Sequence, residues 1–164
     1  MRNRELVIAF PIFDGITEKF VLLGERQKDP WKNQLSGFGG NVEKDDKDPL
    51  DRQILELWQE AKIKAHKKSL IKRAEFNLDI IGKEPKALHV YTINKFLGKG
   101  ECTEEMCPAW FSFCALPIHK MIKGDEFWVP RILDGEYLTG TIFRDADFNF
   151  LNIEVKSYSP RFFQ

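Results

Sequence analysis

What this chain lacks narrows its function before any motif is read. It has no charge excess, because 25 Lys and Arg balance 25 Asp and Glu for a formal net charge of zero. Without an overall positive field there is no general attraction for nucleic acid or for an anionic membrane, so neither is expected as a partner. No apolar run approaches the ~18 residues of a transmembrane helix, and the Met-Arg-Asn-Arg start lacks the apolar segment of a secretory signal. The expected location is cytoplasmic. Cysteine is scarce and odd in number, at positions 102, 107 and 114. Three such residues make neither a paired framework nor a pair of C-x-x-C knuckles, and they are read as reduced thiols. Internal repeats and low-complexity linkers are also missing. What remains is 164 residues, 43% hydrophobic, the size of one globular domain over 1–164.

The chemistry concentrates in GFGGNVEKDDKDPLDRQILELWQEAKI, residues 37–63. A glycine-rich turn leads through an acidic loop into a helix with Glu56 and Glu60 four residues apart. At 3.6 residues per turn those carboxylates sit about 40° apart around the axis, one turn above the other, where they can share a divalent cation. Leu50, Ile54, Leu57 and Ala61 form the apolar stripe to be buried. Asp48 is placed to cap the helix and Pro49 to open it, since the first turn has no amide partner to lose. Glycines at 37, 39 and 40 let a backbone carbonyl approach a ligand without a Cβ in the way. Magnesium takes about six oxygens and accepts carboxylates and phosphates readily, so the stretch suits a metal and polyphosphate platform. A solvated amphipathic helix after a tight turn is the competing reading.

Around this stretch, extended runs are expected over 5–13 and 18–24, joined as a hairpin through DGIT, and over 70–81 and 86–97, separated by GKEP. Arg26 and Lys28 follow the second run, suited either to phosphate contact or to a solvated strand end. His89 lies inside a strand and is read as a satisfied structural group. An acidic loop over 101–107 precedes a strand opening at Pro108, and 116–121 is read as a loop or turn. A helix is expected over 125–133 with Phe127, Trp128, Ile132 and Leu133 inward and a kink at Pro130. A last hairpin spans 136–143 and 148–156 across RDAD. The order β, β, α, β, β, β, α, β, β belongs to the α/β class in its mixed-sheet, α+β form.

Gly40, Asp46 and Glu56-Leu57-x-Gln59-Glu60-x-x-Ile63 resemble the Nudix box, whose consensus is G-x5-E-x7-R-E-U-x-E-E-x-G-U with U aliphatic. Asp46 stands for the first Glu, with one extra residue before the helix; Leu55 stands for the Arg, Gln59 for a Glu and Lys62 for the final Gly. EEMCPAWF, LPIHKM and DEFWVPRIL in the second half, with VLLGERQK and LSGFGGNV in the first, resemble the MutT-like Nudix branch, in particular the oxidised purine nucleoside triphosphatases of mammalian type. The resemblance implies a Nudix α/β/α sandwich and Mg2+-dependent hydrolysis, with Mn2+ as the alternative ion, of nucleoside triphosphates such as 8-oxo-dGTP to nucleoside monophosphate and pyrophosphate. It implies Glu56 and Glu60 as catalytic, Gly39, Glu56, Glu60 and Glu105 as metal ligands, and Arg26, Ser36, Phe38, Asp125 and Trp128 as substrate contacts. The partner is then a small nucleotide. Ser36 stands where those relatives have Asn, Gly124 where they have the first of two aspartates and Ile122 where they have Trp. Gln59 removes one carboxylate, and Leu55 cannot hold the neighbouring Glu as the family Arg does. These departures imply a slower hydrolase. They also keep open another nucleoside diphosphate substrate or a catalytically quiet nucleotide-binding protein.

Overall fold

The computed structural model describes residues 4–159 and Arg161. Strand β1 (Glu5–Asp14) is the element on which the others register. Its outer half pairs antiparallel with β2 (Lys19–Arg26), in the expected hairpin. Its inner half pairs in parallel with β6 (Lys86–Ile93) on one side and antiparallel with β4 (Phe38–Asn41) on the other. The sheet runs β3-β2-β1-β6-β5-β8-β9, with β4 on β1 and β7 on β2. Here β3 is Leu35–Ser36, β5 is Ile71–Ile80, β7 is Met106–Ser112, β8 is Leu138–Arg144 and β9 is Phe150–Ser157.

Alternation along the strands divides the interior into two cores, one on each face. Val7, Ala9, Leu22 and Tyr91 pack with Phe38, Leu57, Ala61, Ile63 and Met106. Phe10, Val21, Leu23 and Val90 point the other way and pack with Phe76, Trp128, Ile132, Leu138 and Ile142. The first core is roofed by helix α1 (Pro49–Ala61) and the second by the segment around α2 (Val129–Leu133). Burying a side chain such as Leu57 contributes about 1.5–3 kcal/mol, so the stripe on α1 fixes which face of the helix turns inward.

Both ends of α1 are closed by local chemistry. Asp48 is extended and its carboxylate accepts from the Asp51 amide at 2.9 Å, with Pro49 opening the first turn. At the far end Lys62 takes the left-handed conformation, φ 57° and ψ 35°. The Lys62 amide donates to the Trp58 carbonyl and the Ile63 amide to Leu57, both at about 3 Å, and Leu57 and Ile63 meet in the core. This is a left-handed, αL-type helix end, with lysine where glycine is usual.

Four expectations need correction. The glycine-rich turn is two short strands, β3 and β4. The segment over 125–133 is a single 3-10 turn, Asp125–Phe127, a break at Trp128, and then α2. Pro130 falls in the first turn of α2, where it costs no hydrogen bond. Phe127 is half exposed and stacks on Phe150 rather than entering the core. Finally, Cys102 and Cys107 are joined as a disulfide, leaving Cys114 free and exposed. Six residues of loop bring their Cα atoms to 4.1 Å, a proximity that counting cysteines does not reveal. His89, by contrast, is a satisfied group, with Glu5 at 3.0 Å from Nε2 and Glu75 at 3.1 Å from Nδ1.

Candidate active site

The site is assembled where α1 crosses β4. Glu60 is buried at 5% exposure, and its Oε1 accepts from the Gly39 amide at 2.8 Å. Glu56, one turn earlier, is so close to Gly40 that a Cβ there would stand 2.5 Å from its Oε1. A Cβ on Gly39 would overlap the Val7 carbonyl of the paired strand. Each of the two glycines thus admits one packing partner, β1 at 39 and Glu56 at 40. Gln53, also fully buried, donates from Nε2 to the Phe38 carbonyl at 2.8 Å and pins β4 to the helix.

A buried carboxylate and a half-buried one stand one helical turn apart, and both are harder to ionise than usual. Burial raises the Glu60 pKa to about 8, with the Glu56 charge adding to the rise, Arg26 opposing it, and the Gly39 amide opposing it further. Burial also raises Glu56, against the pull of Arg52. Arg52 is a residue the sequence did not single out. It lies one turn before Glu56, with Nε 2.8 Å and Nη2 3.3 Å from the two Asp46 oxygens and Nη1 3.4 Å from Glu56 Oε1. Asp46 in turn accepts from the Glu43 amide at 2.7 Å. The guanidinium therefore bridges the loop acid and the helix acid, the span that Leu55, exposed on the outer side of α1, does not make. Gln59 is likewise exposed.

Glu105 approaches from the start of β7 but turns its carboxylate to Lys28 at 2.8 Å. The loop that carries it lies against α1, with Thr103 Oγ1 donating to the Glu60 carbonyl at 3.1 Å, and the Glu105 charge adds to the rise of both Glu56 and Glu60. Among the described residues no three His, Cys, Asp or Glu side chains close on a common point as a metal cage. Glu56 and Glu60 are brought together and Glu105 stands at the rim.

Beside the carboxylates a cleft of about 180 Å³ opens between the second core and the 26–37 segment. Arg26, Ser36, Gly39, Asp125 and Trp128 all line it. Arg26 donates to Ser36 Oγ at 3.3 Å, and Ser36 donates to the Gly37 carbonyl at 2.8 Å. Phe38 does not belong to this group. Its ring is fully buried in the α1 core, because odd and even residues of β4 face opposite sides. Asp125 is 5% exposed, and burial lifts its pKa to about 7 against the charge of Arg144. The Trp128 indole also lowers it, yet Trp128 Nε1 remains a buried donor that closes no full hydrogen bond. Two lining residues escaped the sequence reading, Trp31 and Arg144. The expected RDAD turn included Arg144, which instead closes β8 and reaches the cleft, like Trp31, through tertiary packing.

No protein-family model and no curated protein matches the sequence. Solved structures do match the fold. A MutT protein from Bacillus halodurans superposes with a TM-score of 0.75 at 17% identity, covering 93% of this chain and 97% of that one. MutT from Aliivibrio salmonicida and Vibrio cholerae gives 0.63 at 14%, covering 80% and 97%. The Nudix domain of Shewanella oneidensis NrtR, in complex with ADP ribose, gives 0.62 at 12%, covering 82% and 88%. The mixed sheet, its helices and their order are those of the Nudix hydrolase fold.

Proposed function

We propose that the protein is a Nudix pyrophosphohydrolase acting on purine nucleoside triphosphates, oxidised purines such as 8-oxo-dGTP among them, with Mg2+ or Mn2+ as cofactor. The observation that carries this reading is the pair of adjacent carboxylates, Glu60 buried against Gly39 and Glu56 half-buried against Gly40, at the mouth of a base-sized cleft. A carboxylate held up near pH 8 beside a second raised one is a donor set that a divalent cation would relieve, so the residues fit the ion. Glu56, Glu60, the Gly39 backbone and, from the rim, Glu105 would hold it. When bound, such an ion neutralises phosphate oxygens and lowers the pKa of a water.

The chain's own groups supply the rest. Arg26, between the carboxylates and the cleft, offers its guanidinium to a phosphate. Arg52 fixes the carboxylate of Glu56, and the Gly39 amide fixes that of Glu60, so neither has to be reoriented on substrate binding. Glu56 or Glu60 in ionised form orients or takes the proton of the attacking water. Ser36, Asp125 and Trp128 face the base. Attack at the β-phosphorus releases nucleoside monophosphate and pyrophosphate.

A second reading, hydrolysis of another nucleoside diphosphate derivative, is favoured by the ADP ribose in the complex of the Shewanella oneidensis neighbour. A panel of purine triphosphates, 8-oxo-dGTP, ADP ribose and dinucleotide polyphosphates with Mg2+, scored for phosphate and pyrophosphate release, separates the two. Glu60→Gln is expected to bring turnover to background. Magnesium-dependent turnover at the wild-type rate in that variant rules out the assigned platform.

A further inference from the structure

The bridge between Cys102 and Cys107 closes the loop that carries Glu105. That loop is clamped from two sides. Against α1, the Glu101 amide donates to the Ala61 carbonyl at 2.9 Å and Thr103 Oγ1 to the Glu60 carbonyl at 3.1 Å, so the loop rests on the turn of helix that presents the buried carboxylate. Beyond the end of β2, the Gln27 amide donates to the Glu105 carbonyl at 3.1 Å and Lys28 Nζ to the Glu105 carboxylate at 2.8 Å. Within the loop the Glu105 amide donates to Thr103 Oγ1 at 3.2 Å. The bond between the sulfurs spans all of these contacts. It joins residues only five apart in sequence, and a short closed loop takes less entropy from the unfolded chain than a long one. Its main effect is therefore on the freedom of the loop itself. Cys102 is exposed and Cys107 partly so, within reach of small reagents from solvent.

We infer that Cys102 and Cys107 form a reversible thiol–disulfide site whose oxidised state keeps Glu105 in place beside α1, and whose reduction weakens the hold on a divalent cation. The reagents are low-molecular-weight thiols and disulfides. In reduction, the thiolate of the reagent attacks one Sγ, the bond between the two cysteines breaks as a mixed disulfide forms, and the displaced sulfur takes a proton. A second reagent thiol resolves the mixed disulfide, leaving two protein thiols and one reagent disulfide. A small disulfide runs the same steps in reverse and accepts the two electrons and two protons. Disulfides found in thiol-rich surroundings are usually of this sensing kind. The ion belongs to the hydrolase reading, on which this rests; what is added is the redox condition under which it is held.

The test uses the full chain with Cys114→Ser, so that only the pair reports. It is oxidised with glutathione disulfide or reduced with dithiothreitol, and excess reagent is removed under argon. Titration with a chromogenic disulfide is expected to find no free thiol in the oxidised form and both in the reduced form. Calorimetric titration with Mn2+ is expected to show binding about 10-fold weaker in the reduced form. In metal-free protein, hydrogen exchange at the Thr103 and Glu105 amides is expected to speed up on reduction. Cys102→Ser is expected to match the reduced form in both measurements, whatever the oxidant. Thiols that stay free after oxidation overturn the inference. So does equal Mn2+ affinity in the two forms with only the melting temperature changed, since the bridge then serves stability alone; the hydrolase reading survives that result. Absence of Mn2+ binding in either form removes both.

Discussion

Glu60 is the residue at which burial and chemistry are most opposed. Its ordinary pKa is 4.5 and its folded value is about 8. Below the lower value the group is protonated in both states and costs nothing. As pH rises from 4.5 to 8 the unfolded chain releases a proton that the folded chain keeps, so stability falls by about 1.4 kcal/mol per pH unit across that window. In EDTA, Glu60→Gln is therefore expected to melt several degrees above wild type at pH 8 and to coincide with it at pH 4, as scanning calorimetry would register. Equal melting at pH 8 would mean that the carboxylate is not desolvated. Arg52 is the complementary case, a cation bonded to the buried Asp46 and the half-buried Glu56. Arg52→Met keeps the packed stem and loses both ion pairs, and hydrolysis is expected to drop about 10 to 100-fold. Retention of full rate in a steady-state assay would make Arg52 a structural bridge only.

At the scale of the element, α1 illustrates what can be read from a sequence. Asp48 and Pro49 act through local geometry and stand in the structure where their chemistry places them; of the apolar stripe, Leu50, Leu57 and Ala61 pack into the core, whereas Ile54 stays partly exposed and Gln53 takes the buried place. Asp48→Ala is expected to remove about 1 kcal/mol by orphaning the Asp51 amide, seen as a melting temperature lower by about 2–4 °C. An unchanged melting temperature would show that water replaces the cap at no cost. The hairpins at both ends of the chain were legible for the same reason, since alternation and turn residues are near neighbours. Strands β3 and β4 were not. Two and four residues rich in glycine have no strand preference of their own, and they become strands only by lying along β2 and β1. The break at Trp128 is similar: the indole is drawn against Phe10 and Phe76, at 5.9 and 5.3 Å between ring centroids, and a continuous helix would give up that packing. Glu56 and Glu60 are legible as a pair because one helix carries both. Arg144 pairs with a cleft made by five other segments, and nothing local to β8 announces it.

For the molecule as a whole, folding and ligand binding are linked wherever the folded state alone gathers the ligands. The Glu60 carboxylate of α1 meets the backbone of β4, and β4 is itself paired to β1, so the native fold brings them together. Magnesium or manganese is therefore expected to raise the melting temperature, by the equivalent of about 2.7 kcal/mol at a hundred times the dissociation constant. The variant carrying Glu56→Gln and Glu60→Gln together is expected to show no such rise. A thermal shift series against metal concentration measures it, and an equal shift in that variant would place the ion elsewhere.

The anchor on Glu60 has a consequence for how such a centre survives divergence. Its donor is main chain, supplied by a position whose neighbouring carbonyl excludes every larger residue. Side chains can be exchanged all around it while the tether itself persists for as long as the two backbones keep their path.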